Sequence, residues 1–263
     1  MANYIKSEIL AEAYTHLEIE LFEDKIKLEA LRVDLANFFG ERASFMFGTD
    51  VDIKIEFEEG SLKTKIIAIG SAAATLAAVI GQYGDFRQSV TQLANDAVGL
   101  AQAANMEVIF RTKTPHCDRI RIEKRKGVFG RVASLLNELD SISTKVTESR
   151  FPTNHLRLKD ANAAVDTLLT WDGAVDTLFS KFDGFETEAC VAEGLLAEVK
   201  KLPKQFPWQS ELTQTSIKSS IVESDSNFAG QVAGASARYS ASLKSIEKKL
   251  KDRLTQSVAQ RGG

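Results

Sequence analysis

Only four prolines and sixteen glycines are spread over 263 residues, which leaves little room for long unstructured linkers. Turn clusters are few and periodic segments long, a pattern that favours helices over a many-stranded sheet. Cysteine is scarce too. Cys117 and Cys190 stand far apart and in no metal-ligand spacing, which argues against a disulfide scaffold and suits a reducing compartment. The opening MANYIKSEIL lacks a positive region followed by an apolar core, so it does not read as a secretory signal, and the expected location is cytoplasmic.

The chemistry-bearing residues are equally thin. His16, His116 and His155 are scattered, and His16 between Glu12 and Glu20 reads as a solvated face rather than a metal site. His116-Cys117-Asp118 sets base, nucleophile and acid side by side, but neighbours in an extended chain point in opposite directions. There is no G-x-S-x-G, no Walker loop and no strand-borne G-x-G-x-x-G. The expectation is a non-enzymatic protein that uses no cofactor and no metal.

What is present is periodicity. Leu10, Tyr14, Leu17, Leu21, Asp24, Leu28, Leu31, Leu35 and Phe38 alternate spacings of four and three. That is a heptad pattern, which predicts one long N-terminal helix with Ser7 as cap and Gly40 as stop. Its narrow seam, with Leu17, Leu21, Leu28, Leu31 and Leu35 at the centre, asks for a partner helix from the same chain or another copy.

The pattern then changes to period two. Val51, Ile53, Ile55 and Phe57 alternate with charges, and Leu62, Thr64 and Ile66 continue after a turn, which predicts a β-hairpin over 51–67. An isolated hairpin is marginal in water, so helices or further strands must support it. Two later segments, 106–112 and 118–125, are ambiguous, each readable as a short strand that adds to it.

Between them, Ile66 to Gly84 runs nineteen residues without a charge. A helix of that length would cover roughly 28 Å, close to a bilayer core. Its aliphatic content is low, however, and the hairpin claims its first residues, leaving a helix from about Gly70 to Gly84. Small residues recur every four positions, at Gly70, Ala74 and Ala78 and again at Ala73, Ala77 and Gly81. Such a face permits close backbone approach, so the expectation is a buried central helix, with conditional membrane insertion as the alternative. The order of heptad helix, hairpin and small-residue helix is loosely similar to that of helical pore-forming proteins, which keep a membrane-active element folded away until assembly. The hairpin here departs from them in being charged on one face.

After a helix resuming at Phe86, Val90, Leu93, Ala97 and Leu100, and another from Val128, the segment RFPTNH around Pro152 marks a boundary between regions 1–150 and 151–263, either two domains or two parts of one. The second region is helical in pattern. AVDTLL and AVDTLF recur ten residues apart across Asp172-Gly173, which reads as one helix or a broken pair. Another helix covers Ala189 to Leu202. Phe228, Val232, Ala235, Tyr239, Leu243, Ile246, Leu250 and Leu254 define a long C-terminal amphipathic helix with a basic last turn. The fold class expected is mainly α: a helical bundle with long N- and C-terminal amphipathic helices and one small antiparallel hairpin or sheet.

Charge is unevenly laid out. Residues 1–60 hold fourteen Asp or Glu against six Lys or Arg, a net of −8, within a chain whose total is −3. The densest basic stretch is Arg111 to Arg131, where Arg119, Arg121, Lys124, Arg125, Lys126 and Arg131 surround two glycines able to let backbone amides approach an anion. It either pairs with the acidic end or binds a partner. Few aromatics lie nearby, so nucleic acid is the weakest reading and a protein partner or self-association the strongest. The functional expectation is thus an interaction or assembly protein, a subunit of a larger cytoplasmic complex. A membrane-active effector using 66–84, and an anion- or nucleic-acid-binding protein using 111–131, are the alternatives.

Overall fold

The structure, a computed structural model of the chain, describes residues 8–21, 23–48, 50–58, 61–147, 154–182, 184–209 and 224–261. It is mainly helical with one small four-stranded antiparallel sheet. Contacts divide it into two compact units, Met1–Ala133 with Phe182–Thr187, and Ser134–Lys181 with Glu188–Gly263. The division falls inside a helix, Gly127–Thr147, and the boundary expected near Pro152 lies outside the described residues.

In the first unit the order is β1 (Ile9–Leu17), α1 (Lys25–Phe47), β2 (Val51–Glu58), β3 (Leu62–Gly70), α2 (Ala72–Tyr83), α3 (Phe86–Thr112), β4 (Arg119–Arg125) and the start of α4 (Gly127–Thr147). The strands lie in the order β2-β3-β1-β4 and every pair is antiparallel. With α1 joining β1 to β2, and α2 and α3 joining β3 to β4, this is the split βαβ order of ferredoxin-like folds. Phe39 of α1 and Leu100, Ala101 and Ala104 of α3 meet Ala11, Ala13, Ile53, Ile66 and Ala68 on one sheet face, around a void of about 10 Å³. That is no more than one water's worth of space, so the layer is well filled.

The expected N-terminal helix is corrected here. Residues 9–17 form a strand, and α1 begins only at Lys25, where Asp24 accepts from the Lys27 amide at 3.0 Å. The reason is position: β1 lies between β3 and β4 with Leu10, Ala11, Glu12, Ala13, Thr15 and Leu17 all buried. Its first half, Leu10 to Ala13, is buried on both faces and so displays no alternation, and its Ala and Glu favour helix in isolation. The seam is therefore split. Leu17 sits on β1, Leu21 in the connecting loop, and Leu28, Leu31 and Leu35 on α1. The buried row of α1 is Leu31, Leu35, Phe39, Ala43 and Phe47. Gly40 lies inside α1, which ends at Gly48 with φ 104°. Ser7 lies outside the described residues.

The hairpin forms as expected and 119–125 joins the sheet as β4, with β1 between it and the hairpin, whereas 106–112 does not join it. Those residues are the last turns of α3, because Asn105, Val108 and Ile109 continue the buried row of Ala97, Ala101 and Ala104. The uncharged run also differs from the expectation of a buried central helix. Its helix starts after Ser71, which accepts from the Ala74 amide at 3.2 Å, and ends at left-handed Gly84. Only Ala72, Ala73, Thr75 and Leu76 of α2 are buried. Glu8 holds that buried turn in place: its carboxylate accepts from the Ala72 amide at 2.7 Å and the Thr187 hydroxyl at 2.8 Å. Thr187 in turn accepts from the Ala73 amide at 3.1 Å. The exposed amides of a helix start are thereby satisfied by side chains.

In the second unit, α5 (Asn154–Phe179) runs unbroken through Asp172-Gly173, so the two similar words lie on one helix. Trp171, between them, is fully buried and donates its indole N–H to the Leu135 carbonyl at 2.9 Å. Helix α6 spans Phe185–Val199, its first residues belonging to the first unit, and α7 spans Ser224–Arg261. Val232, Ala235, Tyr239, Leu243, Ile246 and Leu250 of α7 are buried, and Leu254 is half-buried. On its flank Lys249 reaches Asp172 at 2.6 Å and Asp176 at 2.8 Å on α5. Arg253 pairs with Glu188 and lies over the Phe179 ring at 4.6 Å.

Candidate interaction surface

Strand β4 is positioned by a buried polar relay. The Thr15 hydroxyl on β1 donates to Asn105 Oδ1 at 2.6 Å, and Asn105 Nδ2 donates to the Glu123 carbonyl at 2.8 Å. Thr15 and Asn105 are 1% and 2% exposed, so these bonds form away from water and lock α3 to both strands. Before β4, left-handed Lys113 (φ 52°) ends α3, and a 3-10 turn at His116–Asp118 reverses the chain.

β4 is an edge strand, and its pairing with β1 slips by one residue at Ile120: Arg121 lies opposite His16, while Arg119 lies opposite Leu17. A bulge of this kind re-aims the residue beyond it. Arg119 consequently turns towards α3, where it donates to the Thr114 carbonyl at 3.3 Å, away from the face of Arg121. The sequence expectation that Arg119 and Arg121 share a face fails at this bulge.

The sheet face opposite α1 and α3 is a lattice of opposite charges. Arg125 bonds Glu12 at 2.7 Å and Glu123 at 2.9 Å, Arg121 pairs with Glu123, Lys63 with Glu58 at 3.6 Å, and Lys54 with Glu56 at 2.7 Å. The Arg125 guanidinium, with Arg121 behind it, holds the Glu123 carboxyl below its usual range. The acidic N-terminal region and the basic middle stretch therefore meet within one unit, at Glu12 and Arg125 and again at Asp34 and Arg111. Of the other basic candidates, Lys124 donates to Gln102 at 3.1 Å on the α3 side, while Lys126 and Arg131 are exposed at the start of α4. Gly127 has a packing role. Its φ is +59°, and a Cβ there would sit 2.3 Å from the carbonyl oxygens of Ile9 and Leu10.

On the helix side a shallow trough of about 970 Å³ opens between α1 and the last turns of α3. Leu21, Ala30, Leu31, Met106, Ile109 and Phe110 line it, with Lys27, Arg111, Lys113 and Arg119 around them and Asp34 the one acid of the lining. Phe110 is 77% exposed and Met106 56%. The Glu107 carboxylate, with Asp34, raises the pKa of Arg111. Sequence reasoning missed this trough because it read 106–112 as a strand. The four-residue step from Met106 to Phe110 on a continuing helix was the available signal.

The small-residue positions do not come together as a packing face. Gly70 ends β3, where a Cβ would stand 3.0 Å from the Asp50 carbonyl, while Ala74, Ala78 and Gly81 are exposed on α2. No helix among the described residues is long and apolar enough to cross a membrane, and no group of three or more His, Cys, Asp or Glu among them is placed to hold a metal. No family model, curated protein or solved structure matches the chain.

Proposed function

We propose that the chain is a non-enzymatic interaction protein, a subunit of a larger cytoplasmic assembly, and that its first unit carries the contact surface. The observation that supports this reading is the trough, in which Met106 and Phe110 lie 56% and 77% exposed inside a basic rim. Burying two such side chains is worth about 1.5–3 kcal/mol each, which an isolated chain forgoes and a partner recovers. An apolar floor with Lys27, Lys113 and Arg119 beside it suits an amphipathic helix of a protein partner, its apolar face inward and its flank acidic. In this reading the second unit is a helical bundle closed by amphipathic α7.

The test is direct binding between the purified chain and a partner recovered with it from its own cells. Phe110→Asp should weaken that binding at least about a hundredfold, since it removes an apolar anchor and adds a charge. Affinity unchanged by Phe110→Asp and Met106→Asp would sink the reading. The basic stretch is locally compensated by Glu12, Asp34 and Glu123, which disfavours nucleic acid as the ligand.

A further inference from the structure

We infer that β4 is a self-pairing edge, through which a second copy of this chain extends the sheet by antiparallel β4–β4 contact about a two-fold axis at Ile122. The inference rests on the reading of the first unit as an interaction surface, but it uses the sheet edge and not the trough. Exposure is the first ground. β4 ends the order β2-β3-β1-β4, and Ile122 on that outer edge is 42% exposed. An edge strand offers a row of backbone donors and acceptors, which charged side chains, proline, a β-bulge or cover commonly guard. β4 has no proline.

Charge order is the second ground. Arg121 and Glu123 flank Ile122 on the charged sheet face. In an antiparallel pair centred on Ile122, each Arg121 lies opposite the Glu123 of the other copy, and the two Ile122 side chains meet at the axis. The same residues on both strands satisfy each other, as an isologous contact requires. Centring the pair on Arg121 would oppose two guanidiniums, and centring it on Glu123 would oppose two carboxylates. The bulge at Ile120 ends the regular ladder before Arg119 reaches Arg125, so that like-charged pair need not form. The signs of β4 thus select one register for a copy of itself.

Sedimentation velocity of the full chain, from low to high micromolar concentration, should show its mass rise from 28.9 kDa towards double. Arg121→Glu and Glu123→Arg should each weaken dimerisation at least about tenfold by opposing like charges across the axis, and the double swap should restore it. In a Cys117→Ser background, Ile122→Cys should give a disulfide-linked dimer under mild oxidation, whereas Ile120→Cys should not. Circular dichroism of each variant confirms that it is folded. A chain that stays monomeric at every concentration and gives no cross-link at position 122 overturns the inference, as does a dimer indifferent to all three charge variants. Phe110→Asp leaves this contact intact, so failure here and failure of the partner-binding reading are told apart.

Discussion

Replacing Asn105 by alanine should loosen the first unit by about 3 kcal/mol. The figure follows from what the side chain does. It accepts from Thr15 at 2.6 Å and donates to the Glu123 carbonyl at 2.8 Å, with Thr15 and Asn105 both shielded from water. Each bond is worth about 1 kcal/mol net, and leaving the Thr15 hydroxyl buried without a partner adds roughly 1 kcal/mol or more. Thr15→Val removes one of the bonds at nearly constant shape and should cost about half as much. Urea unfolding followed by far-UV circular dichroism measures both, provided the slope is unchanged. Trp171 and Trp208 lie in the second unit, so tryptophan fluorescence follows that unit separately. Hydrogen exchange across β4 should accelerate in Asn105→Ala, because the strand loses its tie to α3. A shift below about 0.5 kcal/mol, with β4 still protected, would refute the claim that this relay fixes the edge strand.

Other outcomes follow from single contacts. Tyr239 is fully buried, its hydroxyl has no hydrogen-bond partner among the described residues, and burial pushes its pKa upward. Tyr239→Phe should therefore stabilise the second unit by about 1 kcal/mol, seen as a higher melting temperature. Gly127→Ala should destabilise by more than about 2 kcal/mol in urea unfolding, since it combines a positive φ with a backbone clash at Ile9 and Leu10. Duplex DNA should bind weakly or not at all near physiological salt. Six phosphate contacts would give a log affinity–log salt slope of about −5, so submicromolar binding with that slope, lost on neutralising Lys124, Arg125 and Lys126, would contradict the reading.

The sequence signals that proved reliable are those in which one face is wet. Val51 to Phe57 alternates because β2 exposes charges on one side, and the residues from Val232 to Leu250 that recur at helical spacing are buried along α7. β1 was illegible for the opposite reason. It is central, its first half is buried on both faces, and its leucines fall in step with those of α1 by coincidence, so strand, loop and helix together mimic one heptad seam. Missing β1 also hid the βαββαβ order, which depends on a strand placed before α1. The exposed positions of α2 were hidden because small apolar residues read alike in a core and on a surface. In the candidate surface, the basic residues of β4 were visible, whereas the bulge at Ile120, the Glu12–Arg125 pairing and the Asn105 relay depend on contacts between residues far apart in the chain.

The most direct test of the central claim is the mass of the particle that contains this chain in gentle lysates of its own cells, at native expression. For the wild type, the account predicts a discrete species well above the 28.9 kDa of one chain. In Phe110→Asp, it predicts loss of the partner while the chain stays folded. A wild-type chain migrating at its single-chain mass, identical to Phe110→Asp, would contradict it.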